Sequence, residues 1–248
     1  MIHKINNFTV VDTIYGKWIV SRKAQYHAET MVKTGVPVHP EETKFMVSII
    51  DTLPEGCIVI DAGSNAGIFS VPFAIAAAKR SGKVYAFEVQ KKLYQALCGT
   101  AVLNDLDNLD VYNCGLGSTE TSLKIPMINY NLEWDFGTLS LADQSKIEQF
   151  DHELVSITTI DHLGLERLDF IKIDIEGMEI EALDGGKDTI QKHRPWAFIE
   201  YWLVDQNKLR AWFDGMGYTL LRLDAANVLC CPNEKLASSQ LALNFPIF

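Results

Sequence analysis

Two apolar periods alternate along the chain. Residues 8–20 read as two short extended runs around Tyr15-Gly16-Lys17, which predicts a hairpin placed before the main domain and outside its core. Over residues 41–53, Phe45, Met46, Ile49, Ile50 and Leu53 recur at helical spacing, and Pro54-Glu55-Gly56 ends the helix. Residues 57–62 then form a nearly all-apolar run rich in Ile and Val, the pattern of a parallel strand covered on both faces. A Gly-rich turn and a helix over 68–80 follow, and the alternation repeats as strand 83–88, helix 91–104 and strand 109–114. Residues 119–153 give no clear period. Beyond them come strand 169–174, helix 179–193 broken at Gly185-Gly186, strand 196–200 and helix 205–216. Runs 218–223 and 227–231 flank Asp224-Ala225-Ala226 as an antiparallel hairpin at one sheet edge. The predicted fold is α/β, a doubly wound, mostly parallel sheet of seven strands, Rossmann-like, with a C-terminal antiparallel hairpin and an N-terminal hairpin extension. Residues 1–40 form the extension, a hairpin and loop suited to a lid, and residues 41–248 form one domain.

Composition narrows the function. The 248 residues are 48% hydrophobic and 22% charged, as in an ordinary globular protein. With 22 Lys and Arg against 32 Asp and Glu the formal charge is -10, so nucleic acid would be approached against the overall field. No Asn/Asp-Pro-Pro-Tyr-type stretch for an extruded base is present either. The five cysteines are odd in number and form no C-x-x-C, which points to reduced thiols and a cytoplasmic location. No signal-peptide pattern and no run of roughly 18 apolar residues is seen, so neither secretion nor a membrane span is expected. The six histidines show no zinc spacing.

The strongest chemical signal is Val59-Ile60-Asp61-Ala62-Gly63-Ser64-Asn65-Ala66-Gly67, a strand end that turns through glycines into a helix. Free N–H groups at such a helix start can donate to a carboxylate or phosphate. Asp61 can take hydrogen bonds from an ammonium group or hold the loop in shape. Twenty-one residues past Gly67, Glu88 ends the next strand at the offset where a carboxylate accepts both ribose hydroxyls. Loop and acid indicate an adenosine-containing ligand. A dinucleotide loop reads G-x-G-x-x-G, whereas D-x-G-x-N-x-G sets a carboxylate beside the turn. That charge repels a pyrophosphate and suits the amino group and sulfonium of S-adenosylmethionine. An NAD-dependent oxidoreductase is therefore the weaker reading. The candidate cofactor contacts are Asp61, Gly63, Ser64, Asn65, Gly67, Glu88, Asn113 and Asp174.

Over roughly residues 41–200 the sequence resembles the FkbM-type S-adenosylmethionine-dependent methyltransferases. The matching pieces are the 59–67 segment, Ala86-Phe87-Glu88, Asn104, Thr159-Ile160-Asp161, Ile171-Lys172-Ile173-Asp174-Ile175-Glu176-Gly177-Met178-Glu179, and Arg194-Pro195 with Glu200. It departs at Val89, where the family usually has Pro, and at Ile160 for the usual Leu. The resemblance implies the class I methyltransferase fold and methyl transfer to a hydroxyl of a small molecule or sugar. A fold that keeps the cofactor but has lost catalysis, serving as a scaffold, is the alternative.

Ligands of an open parallel sheet bind beyond the carboxyl ends of the strands. Asp174 and Glu200 fall there, with Glu176 and Glu179 on the following turn. A carboxylate beside the donor could accept the acceptor's proton, so Asp174, Glu176, Glu200 and His39 are the catalytic candidates. His39 lies in the Pro-bounded loop Pro37-Val38-His39-Pro40-Glu41. Against these stand a buried ion pair of Asp174 with Lys172, two residues away on the same side of the strand, and the preference of any helix start for acids such as Glu176 and Glu179. Asp174, Glu176 and Glu200 could also hold Mg²⁺ or a similar hard cation, a less favoured reading. The 130–138 stretch, with Trp134 and Phe136, suits either an acceptor-pocket loop or a core edge.

Overall fold

The structure, a computed structural model, describes residues 7–132, 139–140, 142, 144–147, 151–236 and 245–248. The chain opens with a hairpin, β1 (Phe8–Thr13) and β2 (Gly16–Ser21), followed by helices α1 (Gln25–Thr34) and α2 (Pro40–Ile50). Alternation then gives β3 (Ile58–Ala62), α3 (Ser70–Ala78), β4 (Lys83–Phe87), α4 (Lys91–Leu103) and β5 (Leu109–Tyr112). Strands β6 (Gly115–Leu116) and β7 (Thr121–Pro126), the one-turn helix α5 (Gln144–Ile147) and strand β8 (His152–Thr158) come next. The second half runs β9 (Phe170–Ile173), α6 (Glu179–Asp184), α7 (Lys187–His193), β10 (Trp196–Glu200), α8 (Gln206–Asp214), β11 (Tyr218–Arg222), β12 (Asn227–Pro232) and α9 (Asn233–Leu236).

Seven strands form the central sheet in the order β11-β12-β10-β9-β3-β4-β5. Pairings from β10 through β5 are parallel, and β12 joins β10 and β11 antiparallel, as the tail pattern predicts. Successive strand residues feed opposite faces. Val59 and Phe170 join one core with α2, α3 and α4, while Ile60, Ile171 and Ile173 join the other with α6, α7 and α8. This two-faced burial is why the strands read as continuous apolar runs, and it makes the sheet doubly wound. The junction between α6 and α7 requires glycine for packing. A Cβ on Gly185 would stand 2.0 Å from the Gly117 carbonyl oxygen, so only glycine lets that backbone approach.

Three features differ from the sequence expectation, the first being helix α1 where residues 1–40 are expected to hold only a hairpin and loop. The N-terminal hairpin is part of the core, because β2 turns Trp18 and Val20 inward, 0% and 2% exposed. Residues 115–158 contribute a three-stranded sheet, β6-β8-β7, over a small apolar cluster of Ile125, Val155 and Ile157. Glu133 to Thr138 of the aromatic stretch, including Trp134 and Phe136, lie outside the described residues. All five cysteines are free. Among the described residues no helix is long and apolar enough to cross a membrane.

Candidate active site

A cavity of about 450 Å³ opens where β3, β4, β5, β9 and β10 end, within the range of small-molecule sites. Its floor is the turn after β3. Gly63 and Ser64 donate their N–H groups to the Phe87 carbonyl, at 3.1 and 3.0 Å, and Gly67 donates to Ser64. The turn needs left-handed backbone at Gly63 (φ 79°), Asn65 (φ 50°) and Gly67 (φ 92°). Asn65, the one residue of the three with a side chain, caps the next N–H, its Oδ1 accepting from Ala66 at 2.7 Å. A Cβ at Gly63 would stand 1.8 Å from the Asp174 carbonyl oxygen, so the glycine lets the β9 end pack against the loop.

Glu88 stands opposite this turn, 5% exposed. Its Oε2 accepts from the Asn65 N–H and its Oε1 from the Gln90 N–H, both at 2.7 Å. Burial pushes its carboxyl up to about 7, against the pull of those two N–H donors. Each oxygen keeps lone-pair capacity for a further donor. Ser64 Oγ, buried on the cavity wall, has no hydrogen-bond partner among the described residues. Asn113 does not line the cavity. Its Nδ2 donates to the Glu88 and Val89 carbonyls, at 2.8 and 3.0 Å, and fixes the turn behind Glu88. Gln90, which the sequence reading passed over, lines the cavity and accepts from the Tyr130 hydroxyl at 3.1 Å.

Asp61 takes the loop-holding role. It is fully buried beneath the turn, lines no part of the cavity, and accepts from Ser70 Oγ at 2.5 Å. Lys172 faces it across the β3–β9 register, Nζ to Oδ1 3.5 Å, and the same ammonium lies 3.0 Å from Asp174 Oδ2. The expected Lys172–Asp174 pair is therefore one half of a bridge. Lys172 is 1% exposed and lies 4.9 Å from the centre of the Phe69 ring. Burial opposes its charge, but Asp174, Asp61 and Glu200 outweigh that and hold the ammonium above its ordinary range. Burial likewise raises Asp61, with Lys172 and Ser70 opposing.

Asp174, Glu176 and Glu200 come together at the other end of the cavity, their carboxylate oxygens within 4.8 Å of one another. Glu200 is pushed up to about 8, first by burial, then by the adjacent Asp174 carboxylate and by Glu176. Its Oε2 accepts from the indole N–H of Trp202 at 2.9 Å, and Trp202 also lines the cavity. Glu176 has left-handed backbone (φ 58°), and its carbonyl accepts from Ser140 Oγ. Glu179 turns away from the others and staples the loop, its carboxylate accepting from the Ile175 and Gly177 N–H groups. His39 reaches the cavity from the N-terminal side, in left-handed conformation at the start of α2, with Nδ1 3.4 Å from Glu42 Oε1. On the β5 side Val89, Cys114, Leu116 and Ile157 make the wall apolar. The cavity thus has an apolar wall on the β5 side, the buried Glu88 carboxyl beside the glycine turn and an acidic cluster at the ends of β9 and β10.

Comparison with known proteins gives this geometry a family. The profile of the methyltransferase FkbM domain matches residues 61–220. "Methyltransferase sdnD" of Sordaria araneosa is 30% identical over 169 residues, 55% of this chain and 62% of that protein. "Methyltransferase 1" of Beauveria bassiana is 27% identical over 155 residues, 54% of this chain and 60% of that protein. The chain thus spans about 60% of the length of these curated relatives. The crystal structure of Methyltransferase FkbM from Methylobacillus flagellatus KT shares the fold, with a TM-score of 0.53 at 17% identity over 85% of this chain and 55% of that one. With the profile covering well over half of its length, from Asp61 under the glycine turn to Leu220 in β11, the chain belongs to the FkbM methyltransferase domain family.

Proposed function

We propose that this chain is an S-adenosylmethionine-dependent O-methyltransferase acting on a hydroxyl of a small molecule or sugar. The observation that carries the reading is Glu88. It is a buried carboxylate tied through Asn65 to the glycine turn, with lone pairs left for two ribose hydroxyls. The unpartnered Ser64 Oγ beside it offers a further polar contact, and the apolar wall on the β5 side suits a base. The donor supplies an electrophilic methyl group on a sulfonium. The acidic end favours that positive charge, and Asp174, paired with Lys172, is the carboxylate best placed to accept a proton from an acceptor hydroxyl. Trp202, held by Glu200, offers an aromatic face at the acceptor end. Transfer is in-line, so what the protein contributes is alignment and exclusion of water.

Calorimetry with S-adenosylhomocysteine tests the donor half. Glu88→Ala should weaken binding by one or two charge-assisted hydrogen bonds, about 1.5–3 kcal/mol each, and a wild-type protein that binds none of the ligand would end the proposal. Mass spectrometry of cell extract incubated with isotopically labelled donor identifies the acceptor, and Asp174→Asn should abolish the labelled product.

A further inference from the structure

We propose that Trp18, from the N-terminal hairpin, is a positioning residue for donor binding: its indole N–H holds the glycine turn in its ligand-ready shape. The inference rests on the donor reading above. Trp18 lies outside the family-matched residues 61–220, so nothing in the family match assigns it a role.

The turn from Gly63 to Gly67 is fastened at nearly every backbone group. Gly63 and Ser64 are tied to Phe87, Asn65 to Glu88, Ala66 to the Asn65 side chain, and Gly67 to Ser64. The Ala66 carbonyl is the group fastened from outside this set, and its donor is Trp18 Nε1 at 2.6 Å. Both residues are buried, at 0% and 6% exposure, so a carbonyl that lost this donor would find no water in its place.

The hairpin that carries Trp18 is anchored at a second point. The outer edge of β2 is paired with side chains of α4 rather than with another strand. The Lys17 N–H donates to Asn104 Oδ1 at 2.8 Å, Asn104 Nδ2 donates back to the Lys17 carbonyl at 2.6 Å, and the Ile19 N–H donates to Thr100 Oγ1 at 2.9 Å. The fit is close enough that a Cβ on Gly99 would meet Ile19 Cδ1 at 2.5 Å. Helix α4 starts directly after Glu88 and Gln90, whereas the glycine turn leads into α3. The hairpin therefore ties the glycine turn, through Trp18, to the C-terminal end of the helix that follows Glu88. This also gives Asn104, one of the family-resembling positions, a physical task.

The test is calorimetry of S-adenosylhomocysteine binding, run beside thermal unfolding, on wild type, Trp18→Phe, Asn104→Ala and Ile49→Val. Trp18→Phe keeps the ring and deletes the N–H. Its dissociation constant should rise about tenfold, the equivalent of about 1.4 kcal/mol. Asn104→Ala releases the hairpin without touching the turn and should move affinity in the same direction by about threefold or more. Ile49→Val, on the buried face of α2, should lower the melting temperature and leave affinity unchanged. Trp18→Phe that loses thermal stability but binds within twofold of wild type would show a purely structural tryptophan and overturn the proposal. Should Trp18→Phe not fold, Asn104→Ala decides alone, and affinity within twofold of wild type overturns it. A wild type that binds none of the ligand removes the donor reading itself, an outcome distinct from a wild type that binds and a Trp18→Phe that binds equally well.

Discussion

Lowering the pH should weaken donor binding through Glu88. Burial holds its carboxyl at about 7, so the free protein is half protonated there at neutral pH and almost fully protonated at pH 5.5. A ribose that donates both hydroxyls needs the ionised form, because a protonated carboxyl loses an acceptor site and carries no charge. Binding below pH 7 must therefore expel a proton, at about 1.36 kcal/mol per pH unit. Between pH 8 and pH 5.5 the dissociation constant of S-adenosylhomocysteine should rise about 30-fold, roughly 2 kcal/mol. The sign for the ligand-free fold is opposite. A carboxyl raised from 4.5 to about 7 binds more protons folded than unfolded between those values, so its contribution to stability is fully present below about 4.5 and lost as pH rises through 7. Glu200, raised to about 8, acts in the same direction, so a control is needed. Glu88→Gln should bind weakly and keep only the part of the pH slope that Glu200 contributes. Calorimetry from pH 5.5 to 8.5, in two buffers of different ionisation enthalpy, reads affinity and proton release together. A flat dissociation constant in the wild type, or a slope no smaller in Glu88→Gln than in the wild type, would refute the reasoning.

Two further substitutions probe the floor of the site. Lys172→Met keeps the apolar stem and leaves the fully buried Asp61 without its counter-charge, which should cost about 3–5 kcal/mol in urea unfolding at neutral pH. The double variant with Asp61→Asn should recover part of that, and a single-variant loss below about 1 kcal/mol would mean the bridge contributes little. Gly63→Ala adds a Cβ 1.8 Å from the Asp174 carbonyl oxygen at a left-handed position, so a loss of more than about 3 kcal/mol is expected by the same measurement, and near-wild-type stability would show that the β9 end can move away.

What the sequence made legible follows from which physics is local. The central strands are covered on both faces and so appear as apolar runs, and the turn at 63–67 announces itself because glycines answer a backbone need. Strand β8 was not legible, since of its seven residues only Val155 and Ile157 are buried, over a satellite cluster. Helix α1 is illegible for a similar reason: its N-cap is Ala24, which offers no side-chain cap. Its buried positions, Ala28 and Met31, are too few to set a period. In the hairpin, exposed Asp12 and Lys17 mask the core signal, yet a two-residue alternation of Trp18 and Val20 is enough to enter the core.

Asp61 marks the boundary between what spacing reveals and what register reveals. Its place at a strand end suggested a charge that meets the ligand, and that charge was the argument for a sulfonium over a pyrophosphate. The β3–β9 register sets Lys172 opposite it, and Ser70 at the start of α3 takes its other oxygen, so the charge is compensated inside the fold. Selection against a pyrophosphate must then come from residues that reach the cavity. Asp174, Glu176 and Glu200 crowd three carboxyl groups beside one lysine that Asp61 shares, and Glu200 is raised first by burial and then by Asp174 and Glu176. A cationic centre relieves that crowding and a second phosphate worsens it. On the proposed donor reading, selection for a sulfonium then has its source not at the glycine turn but at the ends of β9 and β10, two strands whose adjacency no spacing in the sequence encodes.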